Sequence, residues 1–130
     1  MEGQAVLKRW GYVGLGLFLI AFALIEMVTH GRATWFALTF VVLPDMVFLY
    51  GARDSGLGHG QISPRAVRPY NLVHSFGGPA CLLVAGIWLP TVVFASGLTW
   101  AAHIAFDRGL GFAKRSPEGY QKAARPKGAR

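Results

Sequence analysis

Four apolar runs, each near the length of a membrane-crossing helix, constrain this chain more than any other feature. They cover residues 11–29, 34–51, 70–89 and 91–109. About 20 residues at 1.5 Å per residue cross the roughly 30 Å of a bilayer's hydrocarbon. Only a short link near Gly31 separates the first two runs, and only Pro90 separates the last two. Each pair is therefore expected to lie antiparallel, giving an all-α, polytopic membrane four-helix bundle that occupies residues 1–130 as one domain. The composition agrees: 53% of residues are hydrophobic and 15% charged, against about 25% charged in soluble domains. A cleaved secretory leader is the other reading of the first run, because "GRA" at 31–33 loosely resembles a cleavage site. The run is longer than the roughly 7–15 apolar residues of such leaders.

The basic residues set the expected orientation. Lys8 and Arg9 precede the first run, Arg53, Arg65 and Arg68 lie between the second and third, and Arg108, Lys114, Arg115, Lys122, Arg125, Lys127 and Arg130 close the chain. With four crossings these share one side, and Arg32 is alone on the other. The positive-inside rule then places both termini and the middle loop in the cytoplasm of a bacterial inner-membrane protein. Trp10, Tyr12, Tyr50 and Tyr70 are expected in the inner aromatic belt, with Trp35 and Trp88 in the outer one. The net charge of +7 thus argues for anionic lipid headgroups met by the tail at 113–130, not for nucleic acid. A homo-oligomer or a membrane partner stays open. Cys81, the one cysteine, excludes an internal disulfide. The loop Ala52–Pro69, rich in Gly and Pro, is expected to hold no long helix.

Ionisable residues inside such runs are costly, about 2.5–3.5 kcal/mol for a central Asp, and each needs a reason. Counting from the cytoplasmic ends of the runs puts Asp45 and His103 roughly 9 Å deep and His74 roughly 6 Å, with Asp107 one turn nearer the water. All four share one layer although they come from three runs. Two imidazoles and two carboxylates suit Zn, Fe or Mn, and the H-x-x-x-D spacing of His103 and Asp107 aims both at one point. Asp45 and Asp107 both lie toward the C-terminal ends of their expected helices, where the dipole disfavours negative charge and a cation or Arg108 has to offset it. The competing reading pairs Asp107 with Arg108 or Arg68 and leaves the rest as a buried hydrogen-bond network, and a metal-free proton or ion relay is a third. Tyr70 and Asn71 are placed to orient His74, and Trp100, one turn before His103, is either a lid or core. Gly77–Pro79 reads as a packing point and kink. His59 is a solvated loop residue or a mobile further ligand. Glu26 and His30, four apart on one face, belong near the opposite surface and read as interfacial.

"LPD" at Leu43–Asp45, "YNLVHS" at Tyr70–Ser75 and "WAAHIAFDRGLGF" at Trp100–Phe112 resemble the small bacterial membrane proteins grouped as domain of unknown function forty-two-sixty. The resemblance runs from about Gly11 to Tyr120, and "SPEGY" keeps the family's P-x-G-F/Y element. Phe112 stands where the family usually has Tyr, so no hydroxyl role is expected there. That family implies no activity. A more distant similarity to inner-membrane metal-dependent hydrolases implies metal binding by Asp45, His74, His103 and Asp107. The function expected is a metalloprotein, as a hydrolase of an amphipathic ester or phosphoester with Asp107 or Asp45 as base. The alternative is a non-enzymatic assembly or partner protein whose polar layer is structural.

Overall fold

A computed structural model describes residues 2–122, and among these the regular elements are all helical. Helix α1 spans Glu2–His30. Two 3₁₀ segments follow, Arg32–Val41 and Leu43–Gly51. Then come α2 (Pro64–Val73), α3 (Gly77–Ala85) and α4 (Thr91–Leu110).

Helix α4 is the centre. Its buried positions are mostly small, including Ala95, Gly97, Thr99, Ala101, Ala102, Ala105 and Gly109, and small residues let neighbouring backbones approach closely. α1 lies along it in the opposite direction. A Cβ at Gly16 would come within 3.0 Å of the Phe106 ring, and Gly109 faces Val13. Ala23 and Met27 of α1, Ala37 of the first 3₁₀ segment and Ala95 and Leu98 of α4 form one buried cluster. The Thr99 hydroxyl donates to the Ala37 carbonyl at 2.7 Å, tying the first 3₁₀ segment to α4.

The N-terminal end of α1 and the C-terminal end of α4 meet. Arg9 Nε donates to the Gly109 carbonyl and Nη2 to that of Leu110, both at 3.0 Å. These are among the carbonyls that a helix end leaves without intrahelical partners. Gly111, at φ 96°, turns the chain out of α4.

Two of the four expected runs are not single helices. The second breaks at Val42 and its halves bend by 42°, because Pro44 has no N–H to continue the ladder. The third breaks between Val73 and Gly77, just ahead of Gly77-Gly78-Pro79. The break is tolerable because its carbonyls have partners: Ser75 Oγ donates to Leu72 O at 2.7 Å, Trp100 Nε1 to Val73 O at 2.8 Å and Arg108 Nη2 to His74 O at 3.0 Å. The middle loop, expected without a long helix, holds the start of ten-residue α2. Ser63 caps it by accepting from Arg65 N, as N-caps do. Among the described residues α1 is long and apolar enough to cross a membrane, and the two 3₁₀ segments qualify only as one bent span.

After α4 the chain folds back over the middle loop. Asn71 accepts from Arg115 N at 2.7 Å and donates to Arg115 O at 3.0 Å, while Ile62 N donates to Gly119 O at 3.0 Å. Arg115, expected among the headgroup-binding cations, is instead buried. Its Nη1 donates to Gly60 O at 2.7 Å and to Gly119 O at 3.2 Å, and its guanidinium lies 5.3 Å from the Tyr70 ring centre. Arg125, Lys127 and Arg130 lie outside the described residues.

Candidate metal centre

Three separate elements bring four side chains together. Asp45 follows Pro44 in the first turn of the second 3₁₀ segment. The expected penalty of a carboxylate at a helix C-terminus is therefore absent there: the break at Val42 makes a new N-terminus, where negative charge is favoured. His74 closes α2 as its C-terminal cap residue. His103 and Asp107 lie one turn apart on α4, Asp107 near the helix end.

The approaches are close and uniform. His74 Nε2 is 3.3 Å from His103 Nε2, 3.3 Å from Asp45 Oδ1 and 3.4 Å from Asp107 Oδ2. His103 Nε2 is 3.5 Å from Asp45 Oδ1 and 3.6 Å from Asp107 Oδ2. All four atoms lie within 4.8 Å of one another. The His74 and His103 side chains are 2% and 9% exposed, that of Asp107 22% and that of Asp45 47%, so the group is sealed on the imidazole side and open at Asp45.

With both imidazoles neutral and both carboxylates ionised, the protons are too few for hydrogen bonds alone to hold this arrangement. His74 Nδ1 lies 3.0 Å from the Tyr70 carbonyl, which can only accept, so Nδ1 carries the ring proton and a neutral His74 presents a bare Nε2 lone pair. His103 contributes at most one N–H at Nε2. In that state a single ring proton faces five contacts among atoms that otherwise all accept. A cation at their centre satisfies every one. The size fits on five of the six edges: bonds of about 2.0–2.2 Å from Zn²⁺ to nitrogen or oxygen give a tetrahedron with edges of about 3.3–3.6 Å, the range of the five distances, while the two carboxylates lie within 4.8 Å of each other. A His ligand whose other ring nitrogen donates to a backbone carbonyl is the usual support for such a site.

The surrounding residues differ in part from expectation. Tyr70 does orient His74, through its carbonyl and through a ring stacked at 4.0 Å between centroids. It is buried and so does not join an interfacial belt. Asn71 holds the C-terminal segment and not the imidazole. Trp100 packs against Phe40 with ring centres 5.9 Å apart and over Gly78, where a Cβ would run into its ring. It braces the break between α2 and α3. Arg108 makes no ion pair with Asp107 and acts on it only at a distance. It donates to the carbonyls of His74 and Phe112, and the ion-pair partners of Asp107 among the described residues are His74 and His103. His59 is exposed in the loop and stands outside the group. Glu26 and His30 pair with each other at 3.1 Å on α1. Sequence reasoning missed Arg115 and Arg9 as internal braces, since in the sequence both look like membrane-flanking charge.

Fold and site together define an all-helical protein with a two-histidine, two-aspartate cluster able to hold a metal ion. The chain belongs to a family described as "Domain of unknown function (DUF4260)", whose model matches residues 13–124. Neither the curated proteins nor the solved structures contain a match to it. The likeness to metal-dependent hydrolases thus gains no support there, and the chemistry has to be argued from the site.

Proposed function

We propose that this chain is an integral membrane metalloprotein that binds one divalent ion, Zn²⁺ best by size, through Asp45, His74, His103 and Asp107, and hydrolyses an ester bond there. The observation that carries the reading is the set of five separations between 3.3 and 3.6 Å among two imidazoles and two carboxylates brought from three elements. Fe²⁺ and Mn²⁺ are competitors for the same donor set.

A bound divalent ion supplies Lewis acidity and lowers the pKa of a coordinated water towards about 7. The residues supply the rest. His74 and His103 hold the buried side in place, and Asp107 turns with His103 on the rigid helix α4. Asp45, the most exposed member, is the group that an entering water meets. With one carboxylate oxygen given to the ion, its other oxygen accepts the water's proton as the water oxygen bonds to the ester carbonyl carbon, and returns it to the alcohol oxygen as the C–O bond breaks.

Membrane integration is supported by the face that α1 turns outward. Leu7, Trp10, Leu17, Phe18, Ile25 and Val28 are all more than half exposed, and each large apolar side chain left in water forgoes roughly 1.5–3 kcal/mol. Trp35, Tyr50, Leu49, Ile87 and Trp88 extend the apolar surface over the other elements. Positive-inside charge favours a cytoplasmic position for the shared end of α1 and α4, with exposed Lys114 and Lys122 available to anionic headgroups.

The test is element-resolved metal analysis of the purified chain beside Asp45→Ala and His103→Ala. About one ion per chain, lost in both variants, is the expected result. Absence of metal from all three, or its full retention in both variants, overturns the proposal. Four protein donors also favour a second reading, a purely structural ion that fixes helix register. Stoichiometric metal without turnover of any short-chain or long-chain ester supports that one.

A further inference from the structure

Beside the metal cluster a groove of about 250 Å³ runs between α1, the first 3₁₀ segment and α4. Ile20, Val41, Ala102 and Phe106 line it with Thr99, and the cluster residues His103 and Asp107 share the lining. Of the other lining side chains only Thr99 carries a polar group. Thr99, fully buried, has its hydroxyl directed to backbone carbonyls, the nearest that of Ala37. The polar contacts available to an occupant are therefore confined to His103 and Asp107. The space equals roughly eight liquid waters at about 30 Å³ each, yet a water needs two to four polar partners to stay, and the walls provide none.

Resting on the metal reading above, we infer that this groove is a subsite for one unbranched alkyl chain of a single-chain amphiphile whose oxygen-bearing head reaches the ion. The two flanks of the cluster then divide the work. Water arrives at exposed Asp45, and the apolar part of the ligand lies against Ile20, Val41 and Phe106. Gly16 matters here, because a Cβ there would press on the Phe106 ring that lines the groove, at 3.0 Å.

The probes are acetohydroxamate and octanohydroxamate, whose shared head chelates metal and whose chains differ. The Co²⁺-loaded chain in nanodiscs is titrated with each by visible absorption, beside Val41→Phe, which fills the groove without touching a metal donor. Octanohydroxamate should bind the unaltered chain about tenfold more tightly than Val41→Phe, while acetohydroxamate binds both equally. Partition of the long probe into the bilayer is the same for both proteins and cancels. Equal binding of octanohydroxamate by the two proteins overturns the inference and means that the groove holds only surrounding lipid. A chain that takes up no Co²⁺ defeats the metal reading instead, and the two failures are distinguishable by the cobalt spectrum before any probe is added. Ile20→Phe, on a different element, is the second variant should Val41→Phe fail to fold.

Discussion

At the scale of single residues the two aspartates are not equivalent. Asp107 stands on α4, 22% exposed, and Asp45 on the broken segment, 47% exposed. A donor held on a rigid, better-buried element contributes more to affinity, since less water competes for it and less freedom is lost on binding. Asp107→Asn is therefore expected to weaken Zn²⁺ binding at least about tenfold more than Asp45→Asn, as read by competition with a chromophoric chelator. Equal losses would mean that the two carboxylates are held alike. Gly78 allows a second residue-scale prediction. Because the Trp100 ring occupies the space of its missing side chain, Gly78→Val should cost about 1–3 kcal/mol by overpacking. The measurement is a lowered midpoint of thermal unfolding in detergent, with Gly77→Val as a near-neutral comparison, since a Cβ at Gly77 would meet nothing nearer than Ser75 Oγ at 3.8 Å.

At the scale of elements, the site was legible in the sequence for a reason that also explains what was not. Counting inward from the cytoplasmic ends reached Asp45, His103 and Asp107 without crossing either break. The four side chains therefore meet as expected although two of the expected helices are broken. The breaks themselves are hidden from hydropathy: the apolar run continues through Val42 and Leu43, and through Gly77 and Gly78, while the backbone changes direction. A 3₁₀ rise of about 2.0 Å also lengthens the count from Gly51 to Asp45 from about 9 to about 12 Å. Arg115 was illegible for another reason. Its partners Asn71 and Gly60 lie 44 and 55 residues away, and no local spacing distinguishes it from Lys114 beside it. Arg9 is the same kind of case, and it allows a test at this scale. Arg9→Ala removes two hydrogen bonds from the end of α4 and should destabilise the chain by about 1–2 kcal/mol, with Arg9→Lys recovering part of it in the same unfolding assay.

At the scale of the whole molecule, the arrangement in the membrane is open to direct measurement. With Cys81, which is exposed, first replaced by Ser, single cysteines at Gly3→Cys and His59→Cys should react with an impermeant maleimide only from the cytoplasmic side. Arg32→Cys should react only from outside. Labelling of the 59 position from outside alone would reverse the orientation, and labelling of all three from one side would show that the chain lies on the membrane surface instead of crossing it.

Residues 45, 74 and 103 are separated by 29 positions at each step, so an ion that gathers them closes two long loops of the chain. Such an ion binds the folded chain far better than the unfolded one, and at a free concentration a hundred times its Kd it raises the unfolding free energy by about 2.7 kcal/mol. For a protein of ordinary marginal stability that is a large share of the total. Metal supply thereby becomes a determinant of how much intact protein a cell retains, and variants at the four donors will differ in abundance before they differ in turnover.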